Sequence, residues 1–284
     1  MSNLFHLALH IKESEDIVNK MSKFYKDIFG EDNAGQNKGE HAFARCSNTL
    51  LAFEPRKEVE AQTLSFFATP DEILRTIQHN CKKAKVDFKR ESNGNVTLFD
   101  PAGNKLFFER QPLNARAKKM GMRVVLGTID LDKTQAFYKS HFDCKVNKTE
   151  DALNVDFFGH QLIFSKGKKV GKGFSLNSKI IKQAKETHLL VAEHFGISDL
   201  TRSKIDQIIN GFKNGKDCLL APTIANKGGA NEEIYTFVKD PNGHAVELRY
   251  LKNPNISLKE VDKITQQNDN IVKEPYRVLR ANKL

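Results

Sequence analysis

Asp240-Pro241-Asn242-Gly243-His244, running into Ala245-Val246-Glu247-Leu248-Arg249-Tyr250, reads as a tight turn that feeds an apolar strand. The chain carries this device twice. Its counterpart is Asp100-Pro101-Ala102-Gly103-Asn104, running into Lys105-Leu106-Phe107-Phe108-Glu109. Asp-Pro-x-Gly is turn chemistry: aspartate bonds backbone N–H groups just ahead of it, proline presets φ, and glycine takes the positive φ that closes the turn. A second matching pair lies upstream, Lys23-Phe24-Tyr25-Lys26 and Ala136-Phe137-Tyr138-Lys139, each near the end of an amphipathic pattern. Repetition at roughly 50–65 residues divides the chain into units too small to bury a core alone.

Working outward from these anchors, each unit opens on a strand and continues into a helix. In unit one, residues 5–11 alternate, with His6, Ala8 and His10 on one face. A helix is predicted over 14–28 from an acidic, serine-bearing start and the spacing of Ile17, Met21, Phe24, Tyr25 and Ile28, stopping at Gly30. Strands at 40–46 and 49–54 follow, the latter ended by Pro55. Unit two has a strand at 63–68, a helix at 70–84 with Pro70 in its first turn, and strands near 86–90 and 96–109 interrupted by the Asp100 turn. Unit three has a strand at 122–129, a helix at 132–141, and strands at 155–158 and 161–164. Unit four has a strand at 194–198, a helix at 201–213, and strands at 233–239 and 245–250. The pattern predicts an α+β protein of four βαβββ units. In linear order these give a first domain at 1–112, a linker at 113–121, a second domain at 122–252, and a polar tail at 253–284.

Composition narrows the function classes. The 284 residues include 45 Lys+Arg against 35 Asp+Glu, a formal charge of +10, with 39% hydrophobic residues and 20 Phe. That is ample apolar material for a packed core, which excludes global disorder. No apolar run approaches the ~20 residues of a membrane span, and the start lacks the basic and apolar regions of a secretory signal. Four separated cysteines (Cys46, Cys81, Cys144, Cys218) form no CxxC pair, so a reducing cytoplasm is expected. The basic residues, including Lys166-Gly167-Lys168-Lys169, are dispersed along the chain and accompany no RNP, zinc-finger or basic-heptad pattern. This makes a nucleic-acid partner unlikely and favours an anionic small molecule.

With the repeats on the page, the chain resembles the vicinal oxygen chelate superfamily of glyoxalase I, extradiol dioxygenases and bleomycin- or fosfomycin-resistance proteins. The resemblance rests on Phe5-His6-Leu7-Ala8, the two Phe-Tyr helix ends and Asp240 to Glu247. In the second half, Asp156 to Gln161, Glu193-His194-Phe195-Gly196 and the stretch from Ala221-Pro222 to Glu247 are also similar to an uncharacterised, dioxygenase-like branch. It covers residues 4–252 and implies paired units curled into two incomplete barrels around a divalent metal. Ligands in that superfamily stand on the first and last strands of each unit. By position these are His6 in unit one and His194 with Glu247 in unit four. Units two and three have Leu64 or a neighbour, Phe107, Arg123 and Ile163 at such places.

This distribution implies pairing of unit one with unit four, as in fused glyoxalases, since pairing in linear order would need a histidine where Arg123 stands. Two histidines and a carboxylate suit Fe2+ or Mn2+; a second carboxylate would suit Zn2+ or Ni2+. Glu54 is the candidate for that fourth ligand, two residues beyond the aligned Ala52 on the same strand face. Glu247 and Glu54 are the candidate catalytic carboxylates, as proton shuttles. Tyr235, Arg249 and His10 are the candidate substrate contacts.

Each residue also has a plainer reading. His6 and His194 could be core histidines bonded to carbonyls, Glu247 and Glu54 exposed strand glutamates, Tyr235 a core tyrosine and Arg249 a surface arginine. His160, in Gly159-His160-Gln161, could be a turn residue or a leftover of a lost site. The expected function is a metal-dependent, dioxygenase-like or glyoxalase-like enzyme acting on a small oxygenated, anionic substrate, as a monomer or homodimer. The alternative is a non-catalytic small-molecule binder of the resistance type.

Overall fold

The computed structural model describes residues 4–37, 41–57, 59, 61–112, 120–167, 192–198, 200–212, 218–225 and 232–252. The expected tail at 253–284 and residues 113–119 of the expected linker lie outside the described residues, as do the side chains of 36–37, 192–194, 218–225 and 251.

Unit one comprises β1 (Leu4–Lys12), α1 (Ile17–Phe29), β2 (Ala34–Asn37), β3 (His41–Cys46) and β4 (Thr49–Arg56). Unit two comprises β5 (Thr63–Thr69), α2 (Asp71–Ala84), β6 (Phe88–Arg90), β7 (Val96–Phe99) and β8 (Lys105–Arg110). Unit three comprises β9 (Gly121–Thr128), α3 (Leu131–Phe142), β10 (Lys145–Lys148), β11 (Ala152–Phe157) and β12 (His160–Lys166). Unit four comprises β13 (Ala192–Ser198), α4 (Arg202–Asn210), β14 (Cys218–Ala225), β15 (Glu233–Lys239) and β16 (Ala245–Leu251).

The strands form two eight-stranded sheets, ordered β14-β15-β16-β13-β1-β4-β3-β2 and β10-β11-β12-β9-β5-β8-β7-β6. Neither closes on itself, so these are two incomplete barrels. Unit one shares its sheet with unit four, and unit two with unit three. Each sheet therefore takes one unit from each linear half, across the antiparallel pairs β1–β13 and β5–β9.

Three strands absent from the sequence reading, β2, β10 and β14, lie at or near sheet edges. Edge strands are short and need no two-sided apolar pattern; Lys145-Val146-Asn147-Lys148 is almost wholly polar. The helix starts also differ in detail. The acidic cap expected for α1 does not form: Asp16 has φ 58° and no side-chain cap bond, so the helix begins at Ile17. Pro70 precedes α2 rather than entering it. By contrast, Asp130 and Thr201 cap α3 and α4, accepting from the backbone N–H groups of Lys133 and Lys204.

The two repeated motifs turn out to be halves of one contact. Tyr25 of α1 donates its hydroxyl to Asp100 at 3.2 Å, and Tyr138 of α3 donates to Asp240 at 3.3 Å. Both tyrosines are fully buried. The helix of the first unit in each half thus grips the Asp-Pro-x-Gly turn of the second. Each clamp ties together the two units of one linear half, which belong to different sheets.

The twin turns differ in charge. Asp100 accepts from the backbone N–H groups of Ala102 and Asn104 and from the Asn104 amide. Burial still pushes its carboxyl up to about 6. Asp240 accepts the same backbone pattern from Asn242 and His244, with the His244 ring at 2.9 Å. Burial opposes ionisation there too, but the His244 charge and hydrogen bonds hold Asp240 below the usual carboxylate range.

Candidate metal and substrate site

β1 is a central strand whose alternation has two buried sides. Phe5, Leu7, Leu9 and Ile11 enter the main core, while His6, Ala8 and His10 occupy the opposite face. Cross-strand register lines up a row on that second face. Arg45 on β3 pairs with Leu50 on β4, Leu50 with His6, His6 with Gly196 on β13, Gly196 with Glu247 on β16, and Glu247 with Phe237 on β15. Two of the sequence candidates therefore meet. His6 Nδ1 contacts Glu247 Oε2, and the two residues are 6% and 5% exposed. A histidine and a carboxylate buried together on one sheet face are a sound donor set for a divalent metal.

Gly196 is what allows the contact. His6 and Glu247 stand two strands apart, and their side chains meet over the glycine between them. A Cβ on Gly196 would lie 2.6 Å from both the carbonyl carbon and Cβ of Glu247, and nearer still to its carbonyl oxygen. A strand glycine is a recognised sign of close backbone approach, and that was the signal available in His194-Phe195-Gly196.

His194 lies two residues from Gly196 on β13, at the register position opposite Ala8 and beside Ala245. Its side chain lies outside the described residues. The pairing is pseudo-symmetric: His6 stands opposite Gly196, which neighbours Glu247, and His194 stands opposite Ala8, which neighbours Ala52. Where the symmetry would set a second carboxylate, the chain has Ala52. Among the described residues no group of three His, Cys, Asp or Glu side chains is close enough to hold a metal.

Glu54 is not brought to the His6–Glu247 contact. It pairs with His10, four residues further along β1. Its Oε2 lies 3.4 Å from His10 Nδ1, its Oε1 lies 4.0 Å from His41 Nε2, and Arg56 contacts it directly. Burial lowers His10 to about 4, against the raising effect of Glu54, so the ring is neutral at neutral pH. Arg249 and Tyr235 face each other on β16 and β15, and Arg249 Nε donates to Glu233 at 2.8 Å.

The other sheet is furnished differently. Arg123 on β9 pairs with Ser65 and Gln161, donates to Gln161 at 2.9 Å and meets Glu109 at 3.0 Å. Arg123 thus holds the register position that His6 has in the first sheet and Phe107 that of Glu247, while Glu109 lies two residues further along β8. Between the sheets lies His160, fully buried and stacked on Phe5 with ring centroids 4.5 Å apart. Its Nδ1 accepts the Met122 backbone N–H at 3.0 Å, and the side-chain amide of Asn48 lies 3.1 Å from its Nε2. Burial lowers His160 to about 3, consistent with the neutral ring this bond requires. It pins the residue next to His6, a role the sequence pattern alone did not expose.

No protein-family model matches the chain, and no curated protein matches it in sequence. Solved structures do. A proposed dioxygenase from Bacillus subtilis aligns over 98% of this chain and 95% of its own, with a TM-score of 0.53 and 13% identity. A variant of glyoxalase I from Zea mays aligns over 92% of this chain and 95% of its own, with a TM-score of 0.52 and 15% identity. At such identities the likeness is one of architecture. Four βαβββ units paired into two incomplete barrels, matched along nearly their whole length by these structures, give the chain the vicinal oxygen chelate fold.

Proposed function

We propose that the sheet shared by units one and four holds one divalent metal through His6, His194 and Glu247, and that the protein is an enzyme acting there on a small oxygenated, anionic substrate. The observation that carries this reading is the buried contact of His6 with Glu247 across Gly196. Fe2+ or Mn2+ suits two histidines and one carboxylate with open positions, and the alanine at 52 favours that set over the four-ligand sets of Zn2+ or Ni2+. A bound divalent metal supplies Lewis-acid stabilisation of negative charge on the substrate's oxygens.

The chain's own groups do the rest. Glu247 offers a carboxylate oxygen that can receive and return a substrate proton, and the low exposure of His6 and Glu247 keeps bulk water from competing. Arg45, in the same cross-strand row as His6, brings positive charge to an anionic substrate. These residues come from one chain, so a monomer or a homodimer serves equally. Three buried free cysteines, Cys46, Cys81 and Cys144, suit a reducing cytoplasm. No helix among the described residues is long and apolar enough to cross a membrane.

The test is elemental analysis of the purified protein and of protein reconstituted with Fe2+, Mn2+, Zn2+ or Ni2+. About one metal per chain is expected, falling sharply in His6→Ala, His194→Ala and Glu247→Gln. Iron in the isolated protein would point to dioxygenase-type chemistry, and nickel or zinc to glyoxalase-type chemistry. Absence of stoichiometric metal under every condition would overturn the enzyme reading in favour of a resistance-type binder.

A further inference from the structure

On the same face of β1, one histidine meets Glu247 and the other, His10, faces Glu54. The two are four residues apart, so the poles are separated by about 13 Å along the strand. Between them the register sets Ala8 beside Ala52, a low apolar floor on the β4 side, with His194 across from Ala8 on β13. His10 is 5% exposed, and both His10 Nδ1 and Glu54 Oε2 are buried without a hydrogen-bond partner. Their separation of 3.4 Å exceeds the 2.7–3.2 Å of an ordinary N–H···O bond. Buried atoms left in this condition are destabilising, and native proteins retain them where water, an ion or a ligand completes them. Arg56 and His41 hold the other carboxylate oxygen, so Glu54 is anchored by Oε1 and keeps Oε2 as an acceptor.

We propose that His10 and Glu54 form the second pole of the substrate site, receiving a hydrogen-bond-donating hydroxyl or ammonium group at the far end of an elongated substrate whose vicinal oxygens sit at His6 and Glu247. This rests on the metal reading above and deepens it: the substrate is bifunctional, with an apolar middle over Ala8 and Ala52. Negative charge belongs at the His6 pole, in the row of Arg45, because a carboxylate at the far end would face the carboxylate of Glu54. Glu54 then acts on the substrate's remote end rather than on the metal.

A hydroxamate presents two vicinal oxygens to a metal, so a series of eight-carbon hydroxamic acids tests both poles. Octanohydroxamic acid and its terminal hydroxyl, amino and carboxyl derivatives are titrated by calorimetry into Mn2+-loaded and metal-free protein. In the wild type, the hydroxyl or amino derivative binds about tenfold tighter than octanohydroxamic acid, and the carboxyl derivative binds more weakly. In Glu54→Gln and in His10→Phe the preference falls to about one. The readout is a ratio within each protein, which cancels a general loss of folding or of metal. Equal affinities across the series, a carboxyl derivative that binds tightest, or a preference that survives both substitutions overturns the second pole and leaves the metal reading standing. Failure of every hydroxamate to bind, or equal binding with and without metal, overturns the metal reading and the second pole with it.

Discussion

Gly196→Ala is the substitution that most directly probes how the fold makes the site. The added Cβ would stand 2.6 Å from the Glu247 carbonyl carbon and Cβ, where ordinary contact begins at 3.4 Å. Strand β16 must therefore move away from β13 by about 1 Å in a ladder whose spacing is ~4.8 Å. Such overpacking costs about 1–3 kcal/mol, and each ladder hydrogen bond lost adds about 1 kcal/mol. A total near 3 kcal/mol lowers Tm by roughly 6–12 °C in a protein of this size. The functional consequence is larger, because metal–ligand bonds tolerate only about 0.2 Å. Glu247 rides on the displaced strand while His6 stays on β1. The assay is Mn2+ stoichiometry and affinity at a temperature where circular dichroism shows the variant fully folded, alongside Tm. Folded Gly196→Ala is expected to lose most of its metal affinity. A variant that binds Mn2+ like the wild type would refute the reasoning even if its Tm fell, because the glycine would then serve packing alone.

Three further outcomes follow from the same geometry. Ionised Asp100 is penalised in the folded state, where burial raises it from 3.8 to about 6, so its contribution is full below pH 3.8 and lost as pH rises through about 6. Asp100→Asn should therefore gain on the wild type by up to ~3 kcal/mol between pH 4 and pH 7 in urea titrations, whereas Asp240→Asn, which leaves His244 without its carboxylate, should lose about 3 kcal/mol at neutral pH. Gains of the same sign in both variants would contradict the account of the twin turns. His160→Phe keeps a ring against Phe5 but leaves the Met122 N–H buried without its acceptor, at a cost of about 1–3 kcal/mol; hydrogen exchange at that amide should accelerate, and unchanged protection would argue against the pin. Arg123→Ala, on the sheet without the histidine–glutamate contact, should cost under about 1 kcal/mol and leave metal content intact, and a loss of metal would move the site to the other sheet.

Much of this was legible in the chain because turn and helix chemistry is local. Asp-Pro-x-Gly and Phe-Tyr repeated at matching places, and their repetition was enough to divide the chain into four units. What the repeats did not disclose is why they repeat: Tyr25 with Asp100 and Tyr138 with Asp240 are contacts between residues 75 and 102 positions apart. The edge strands escaped notice because a strand such as Lys145–Lys148 is defined by its neighbour's hydrogen bonds more than by its own side chains. Among the site residues, His6 and Glu247 were singled out by the family resemblance, which sets ligands on the first and last strands of a unit. The importance of Gly196 was not, since a glycine carries no chemistry until the strands on either side are known. Glu54 lay on the expected strand face but, in the fold, at the His10 level of the sheet.

The sequence by itself determined the unit: a strand, a helix and a closing hairpin, each specified by periodicity, capping and turn residues that act within a few positions. It also determined which units carry metal-binding residue types, His6 in one and His194 with Glu247 in another. The family resemblance implied that units one and four pair, and the tertiary structure puts them in one sheet, which makes two residues 241 positions apart neighbours. Strand pairing is set by backbone hydrogen bonds and by which apolar faces bury each other. Neither is written at any single position of the chain.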